Sequence, residues 1–161
     1  MVSNPYWCKT KSAYKKEIGR WFDAPQADDF MNLAIFFDAI SVAGDASMLH
    51  TLKALIFDEV RDRSSFMANF AKAALSFETP IGLFTNLIAN DNRIDIKKGG
   101  IFPIVQGIRS LALENGVLET DTVTRIRKLS QVHILDEDFA GALIEALDTL
   151  LNLRLKDRLN R

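Results

Sequence analysis

Residues 33–49 read LAIFFDAISVAGDASML and decide how much β structure the fold contains. The first part of this stretch is apolar and rich in aromatic and β-branched residues, which favours a short strand near residues 33–43. Apolar side chains alternate onto both faces, so we expect this strand to be covered on both sides. Asp38 ends the apolar run IFFD, and a turn of small residues follows it. The stretch predicts one strand that ends in a carboxylate.

Helical patterns surround this stretch. On its N-terminal side one apolar stripe has helical spacing and consists of Tyr14, Ile18, Trp21 and Phe22. On its C-terminal side Asp45 or Ser47 is suited to cap a helix. Pro103 fits a first helical turn, and Gly116 fits a helix C-terminus.

The last helix is expected from about Asp136 towards Arg158. Its first turn is acidic and its last turn is basic, which matches the helix macrodipole. The side chains predicted to face the core are Phe139, Leu143, Leu147, Leu150 and Leu151. A small hairpin is an option near residues 83–96, where Asn90-Asp91-Asn92 would form the turn. The fold class predicted is mainly α, a helical bundle with a minor β element.

Composition narrows the environment. The chain has 161 residues, a formal net charge of −1 and one cysteine, Cys8. A single cysteine cannot form an internal disulfide, which suits a reducing cytoplasm. No apolar run approaches the about 20 residues that span a bilayer. We therefore expect a cytoplasmic protein with neither nucleic acid nor membrane as a partner.

Few residues offer catalytic chemistry. The glycines of KKGGIF lack the spacing of a phosphate-binding loop, and His50, His133 and Cys8 lack the spacing of a zinc site. Asp38 remains as a candidate, either as an ordinary turn residue or as one ligand of a divalent metal. A two-metal phosphoryl-transfer site needs several such carboxylates on neighbouring elements.

Five segments follow one another along the chain: NPYW, IFFDAISVAGD, DIKKGGIFPIVQGIRSLAL, TVTRIRKL and ALIEALDTLLNLRLKDRL. Together they resemble the C-terminal part of the bacterial putative nucleotidyltransferases of the signal-transduction type. In that family, CBS and cyclic-nucleotide-binding domains commonly precede a catalytic part similar to that of PII-protein uridylyltransferase. A helical putative substrate-binding domain follows the catalytic part.

The resemblance implies that Asp38 is the third carboxylate of a Mg²⁺ site. The family's other ligands, a Gly-Ser turn and an Asp-x-Asp pair, have no counterpart in residues 1–32, so no catalytic set is complete in this chain. Ile40 stands where the family pattern FFDxR has an arginine. We expect residues 1–46 to be the C-terminal remnant of a catalytic domain and residues 47–161 to be the substrate-binding domain. Mg²⁺ is then expected in the full-length parent and not on this fragment.

Five basic residues match basic positions of that substrate-binding domain: Lys97, Lys98, Arg109, Arg125 and Arg154. The resemblance implies that they bind a substrate or an anionic group. Lys97 and Lys98 precede a glycine pair and a helix start, an arrangement that suits an anion. The alternative is that all five lie on solvated faces or in ion pairs within the bundle.

Two functions follow. In the first, the chain binds a regulatory protein that the full-length parent uridylylates or adenylylates with a nucleoside triphosphate. In the second, it is a structural or dimerisation bundle, a homodimer included, that relays signals from upstream CBS or cyclic-nucleotide-binding domains. A basic cleft near Lys97 and Arg109 would favour the first, and an apolar helix face left exposed would favour the second.

Overall fold

The computed structural model describes residues 4–75 and 95–159. These residues form seven α-helices: α1 (Lys11–Asp23), α2 (Asp29–Phe37), α3 (Ala46–Val60), α4 (Ser64–Leu75), α5 (Phe102–Glu114), α6 (Thr122–Gln131) and α7 (Glu137–Leu159). A 3-10 turn, Pro5–Trp7, precedes α1, and a π-helical turn, Lys97–Ile101, leads into α5. The described residues contain no strand, so the mainly α prediction is confirmed. The hairpin predicted near residues 83–96 lies outside the described residues, apart from positions 95 and 96.

The strand predicted near residues 33–43 is wrong. Residues up to Phe37 belong to α2, Asp38 is the C-cap of this helix, and residues 39–45 belong to neither a helix nor a strand. The buried apolar side chains of α2 fall at i, i+1, i+3 and i+4: Leu33, Ala34, Phe36 and Phe37. A short apolar run fits a buried strand and a buried helix equally well, and here tertiary packing overrides β propensity.

The chain divides into two compact units, Met1–Met67 and Ala68–Arg161. The core of the first unit uses the apolar stripe of α1, where Ile18 and Trp21 are fully buried and Phe22 is nearly so. Thr10 caps α1 by accepting a hydrogen bond from the Ala13 N–H at 3.2 Å. Asp45 caps α3 by accepting from the Ser47 N–H at 2.9 Å, which confirms the predicted cap.

The second unit follows the predicted helix boundaries. Pro103 lies in the first turn of α5, and Gly116 follows the end of that helix with a φ of +71°, a left-handed value that glycine tolerates. Asp121 caps α6 through a 2.8 Å hydrogen bond from the Thr124 N–H. Ile126 and Leu129 of α6 are fully buried.

Helix α7 departs from its predicted inner face. Leu147 is buried, but Phe139 and Leu151, both predicted to face the core, are 55% and 45% exposed. The buried face instead includes Ala140, one position from Phe139. Small alanines can lie against a neighbouring helix, and in a sequence with apolar residues on several faces the largest ones need not be the buried ones. None of the described helices is both long enough and apolar enough to cross a membrane.

Candidate functional site

A groove of about 570 Å³ lies in the first unit, beside the end of α2. Aromatic side chains of Trp7, Tyr14 and Phe36 line it together with exposed Ile40 and Val42. Grooves of a few hundred Å³ with apolar walls and few polar groups are typical of ligand sites. The groove is therefore a first place in the described chain where binding chemistry is concentrated.

Asp38 lies at the edge of this groove. Its N–H donates to the Ala34 carbonyl at 3.2 Å and so closes the last turn of α2, while its half-buried carboxylate has one oxygen shielded from solvent. A carboxylate at the C-terminal end of a helix faces the negative end of the macrodipole, which costs about 0.3–1 kcal/mol. Helix stability alone therefore does not explain an acid at this position.

The described residues do not by themselves build the Mg²⁺ site that the sequence suggested for the parent. Across residues 4–75 and 95–159, no three His, Cys, Asp or Glu side chains come together as a metal-binding group. Asp38 could supply one oxygen ligand, but hard divalent cations need several, so further acids would have to join it.

The second place is the π-helical turn Lys97–Ile101, which packs against α7. A Cβ built on Gly100 would come within 2.9 Å of Leu150 Cδ1, so the absence of a side chain permits this close approach. Asp95 begins the turn by accepting a hydrogen bond from the Lys98 N–H at 3.0 Å. Lys97 and Lys98 are both exposed.

Arg154 lies one helical turn beyond Leu150 on the same side of α7 and is half-buried. Within the described part of the chain, neither Lys97 nor Arg154 forms an ion pair, and Lys98 has only a loose one with Asp95 at 3.9 Å. The contact between the π-helical turn and α7 therefore places the lysines of this turn near the segment of α7 that carries Arg154.

Arg109 is held in place from within α5. Its guanidinium donates to the Gln106 side-chain oxygen, and the Gln106 amide donates to the Phe70 carbonyl of α4 at 3.1 Å. Gln106 is only 3% exposed. Its role was not recognised in the sequence, where a glutamine inside an otherwise ordinary amphipathic helix carries no distinct signal.

Arg125 lies inside the second unit and is only 1% exposed. Its Nε–H donates to the Glu119 carbonyl and so ties α6 to the chain segment that precedes it. The structure thus separates Arg125 from Lys97, Lys98 and Arg154, which reach the surface or its edge.

The first unit contains charged contacts that the sequence did not reveal. Arg20 of α1 donates two hydrogen bonds to Asp29 of α2, at 2.8 and 2.7 Å, and Asp29 is 3% exposed. The bonds from Arg20 hold the pKa of Asp29 below its usual value, against the raising effect of burial. Nine-residue spacing between two helices gives no local signal for this ion pair in the sequence.

The described residues form an all-helical architecture, and the basic side chains at its surface include Lys97 and Lys98 on the π-helical turn. Residues 64–161 match the family described as putative nucleotidyltransferase substrate binding domain, and the chain belongs to this family. No curated protein and no solved structure matches the chain. The substrate-binding domain inferred from the sequence is therefore confirmed, whereas the links to CBS domains and to PII-protein uridylyltransferase, and the boundaries 1–46 and 47–161, stay predictions.

Proposed function

We propose that this chain is the substrate-binding region of a larger signal-transduction nucleotidyltransferase and that it presents a regulatory protein to the catalytic domain. The family match over residues 64–161 is the observation that carries this proposal. The partners are the catalytic domain, sensory CBS or cyclic-nucleotide-binding domains of the same polypeptide, the acceptor protein and a nucleoside triphosphate. In uridylylation or adenylylation, an acceptor oxygen bonds to the α-phosphorus and the bond to pyrophosphate breaks.

Surface cations of the second unit are suited to hold an acidic segment of the acceptor. Lys97 and Arg154 lack acidic partners among the described residues, and Lys98 has only the long contact to Asp95. Arg109 contributes from α5, with its orientation fixed through Gln106. Arg125 supports the unit from inside. Charged groups of this kind steer an oppositely charged partner more than they stabilise their own fold.

Asp38 contributes one carboxylate to the catalytic site of the parent, and the remaining ligands come from the catalytic domain. Bound Mg²⁺ would neutralise charge on the phosphates there. The contribution of this chain is the placement of Asp38 at the end of α2, on the edge of an apolar groove.

Labelling with radioactive UTP or ATP, with Mg²⁺ and a cell extract as the source of acceptors, tests this proposal. The isolated chain should label nothing, the parent should label an acceptor, and Asp38→Asn should abolish labelling by the parent. Robust labelling by the isolated chain, lost in Asp38→Asn, would contradict the assignment of this chain as a binding region.

The basic surface is tested separately in the parent. The double substitution Lys97→Ala with Arg154→Ala should raise the KM for the acceptor about tenfold, because two charged contacts are lost. Lys15→Ala with Lys16→Ala, which removes two exposed lysines of the first unit, is the matched control and should leave KM unchanged. Equal effects of the two changes would show that only net charge matters.

A second candidate function is the structural bundle that relays signals from sensory domains. The exposed apolar side chains on α7 favour it: Leu151, Leu153, Leu155 and Leu159. Binding an acceptor and relaying a signal are compatible, because they use different surfaces of the second unit.

A further inference from the structure

We propose that α7 pairs with α7 of a second copy of this chain in an antiparallel coiled coil. The pairing would use one side of the helix, the α7 seam, which consists of Ile144, Asp148, Leu151, Leu155 and Arg158. These residues are spaced by four, three, four and three positions, which is the heptad spacing of a coiled-coil contact. The proposal is independent of the nucleotidyltransferase assignment, because it uses only the sequence and exposure of α7.

The α7 seam is open to a partner along its C-terminal part. Leu151 and Leu155 are 45% and 56% exposed, and Asp148 and Arg158 are also exposed. The buried face of α7, which includes Ala140 and Leu147, points to an adjacent side of the helix. The helix can therefore keep its contacts within the second unit while the seam contacts another helix.

Charge selects a second copy as the partner and fixes its direction. In an antiparallel pair centred on residue 153, Leu151 of one copy faces Leu155 of the other, and Asp148 faces Arg158. By two-fold symmetry each contact occurs twice, so two leucine layers are flanked by two ion pairs. The seam is thus complementary to itself.

A parallel pair is disfavoured by the same residues. It would place Asp148 opposite Asp148 and Arg158 opposite Arg158, and like charges opposed in a seam repel. A parallel pair in register would also place the acidic first turns of the two helices, with Glu137 and Asp138, side by side, and likewise their basic last turns, with Lys156 and Arg158. The antiparallel pair centred on residue 153 avoids both of these like-charge contacts.

The seam is short, so the dimer should be weak. Two leucine layers and two ion pairs make an interface at the low end of specific protein contacts, and we expect a dissociation constant of about 10–100 µM. A concentration series by sedimentation equilibrium, from about 1 to about 500 µM, covers this range.

Leucine substitutions test the seam directly. Leu155→Glu should weaken dimerisation by about 100-fold or more, because it places charge in the apolar layers. Leu153→Glu is the matched control: Leu153 is 46% exposed, lies on the opposite side of α7 and should leave the dissociation constant unchanged. Far-UV circular dichroism should show the same helix content in both variants.

Charge reversal tests the direction. Asp148→Arg and Arg158→Asp should each weaken dimerisation about tenfold, because each creates two like-charged layers. The double variant restores opposite charges and should recover the wild-type constant. A wild-type chain that stays monomeric at the highest concentration would overturn the proposal. So would equal losses in Leu153→Glu and Leu155→Glu, or a double variant as weak as the single ones.

Discussion

The two units use charged side chains in different ways. In the first unit, Arg20 is joined to buried Asp29, and Arg63 donates to the Phe22 carbonyl, Asp23 and Glu59 at 2.8–3.0 Å. In the second unit, Lys97 and Lys98 are exposed on the π-helical turn. The contacts of Arg20 and Arg63 hold helices of the first unit together, whereas Lys97 and Lys98 of the second unit are exposed to a partner. The difference teaches which charged residues to mutate for stability and which for binding.

Arg20→Met is the strongest test of the structural role of charges in the first unit. This change leaves the Asp29 carboxylate nearly buried without its cation, and we expect a loss of about 2–4 kcal/mol in the free energy of unfolding. Urea unfolding followed by far-UV circular dichroism measures it. The control is Arg61→Met, because Arg61 pairs with Asp58 at 3.4 Å where both are well exposed. That pair should contribute less than about 0.5 kcal/mol. Similar losses in the two variants would mean that burial of Asp29 has little energetic weight.

Low pH should reduce the difference in stability between the wild-type protein and Arg20→Met. The pKa of Asp29 is held below the ordinary value of 3.8, chiefly by hydrogen bonds from Arg20. A lowered folded-state pKa gives stability that is present above pH 3.8 and is lost as the pH falls through the folded-state value. Wild-type stability should therefore fall more steeply below about pH 4 than that of Arg20→Met. Parallel curves for the two proteins would contradict the assignment of the pair.

Substitution of Asp121, which caps α6 in the second unit, should cost less stability than Arg20→Met. Asp121 accepts from both the N–H and the hydroxyl of Thr124, each at 2.8 Å, and these bonds lower the pKa of Asp121. Asp121→Ala removes the cap of α6 and should cost about 1 kcal/mol in urea unfolding. Asp121→Asn keeps an acceptor and should recover most of the loss. An Asn variant as unstable as the Ala variant would show that charge rather than capping is what matters.

The smallest effect is expected at Asp38. Asp38→Asn keeps the shape of the side chain and removes its charge from the C-terminal end of α2, so stability should change by less than about 1 kcal/mol, with a gain favoured. Urea unfolding of the isolated chain measures this, and the labelling assay of the parent measures chemistry. A loss of several kcal/mol would place Asp38 with the structural charges of the first unit.

The sequence predicted the helices, their caps and the family better than the details of packing. The cap at Asp45 was visible because capping is local: the acid and its N–H donor lie two residues apart. The α2 segment was assigned to a strand because its short apolar run carries no distinguishing period. The inner face of α7 was partly misassigned because apolar residues occur on more than one side of that helix.

The candidate site residues show the same difference between local signals, which the sequence reveals, and packing contacts, which it does not. The glycine pair drew attention to Lys97 and Lys98, and the structure shows Gly100 against Leu150 of α7. The burial of Arg125 depends on how the helices pack, and the anchoring of Arg109 depends on the hydrogen bond from Gln106 to Phe70, 36 residues away in sequence. No spacing rule within one helix predicts such contacts, because they arise only when the helices pack.

The tryptophans and tyrosines of the chain provide a natural spectroscopic probe of the first unit. Both tryptophans and both tyrosines of the chain, Trp7, Trp21, Tyr6 and Tyr14, lie before residue 68, and Trp21 is fully buried. Tryptophan emission and the tryptophan and tyrosine bands of near-UV circular dichroism therefore follow the first unit, while far-UV circular dichroism follows the helices of both. Coincident transitions would show that the units unfold together, and separated ones would give each unit its own stability without a single added label.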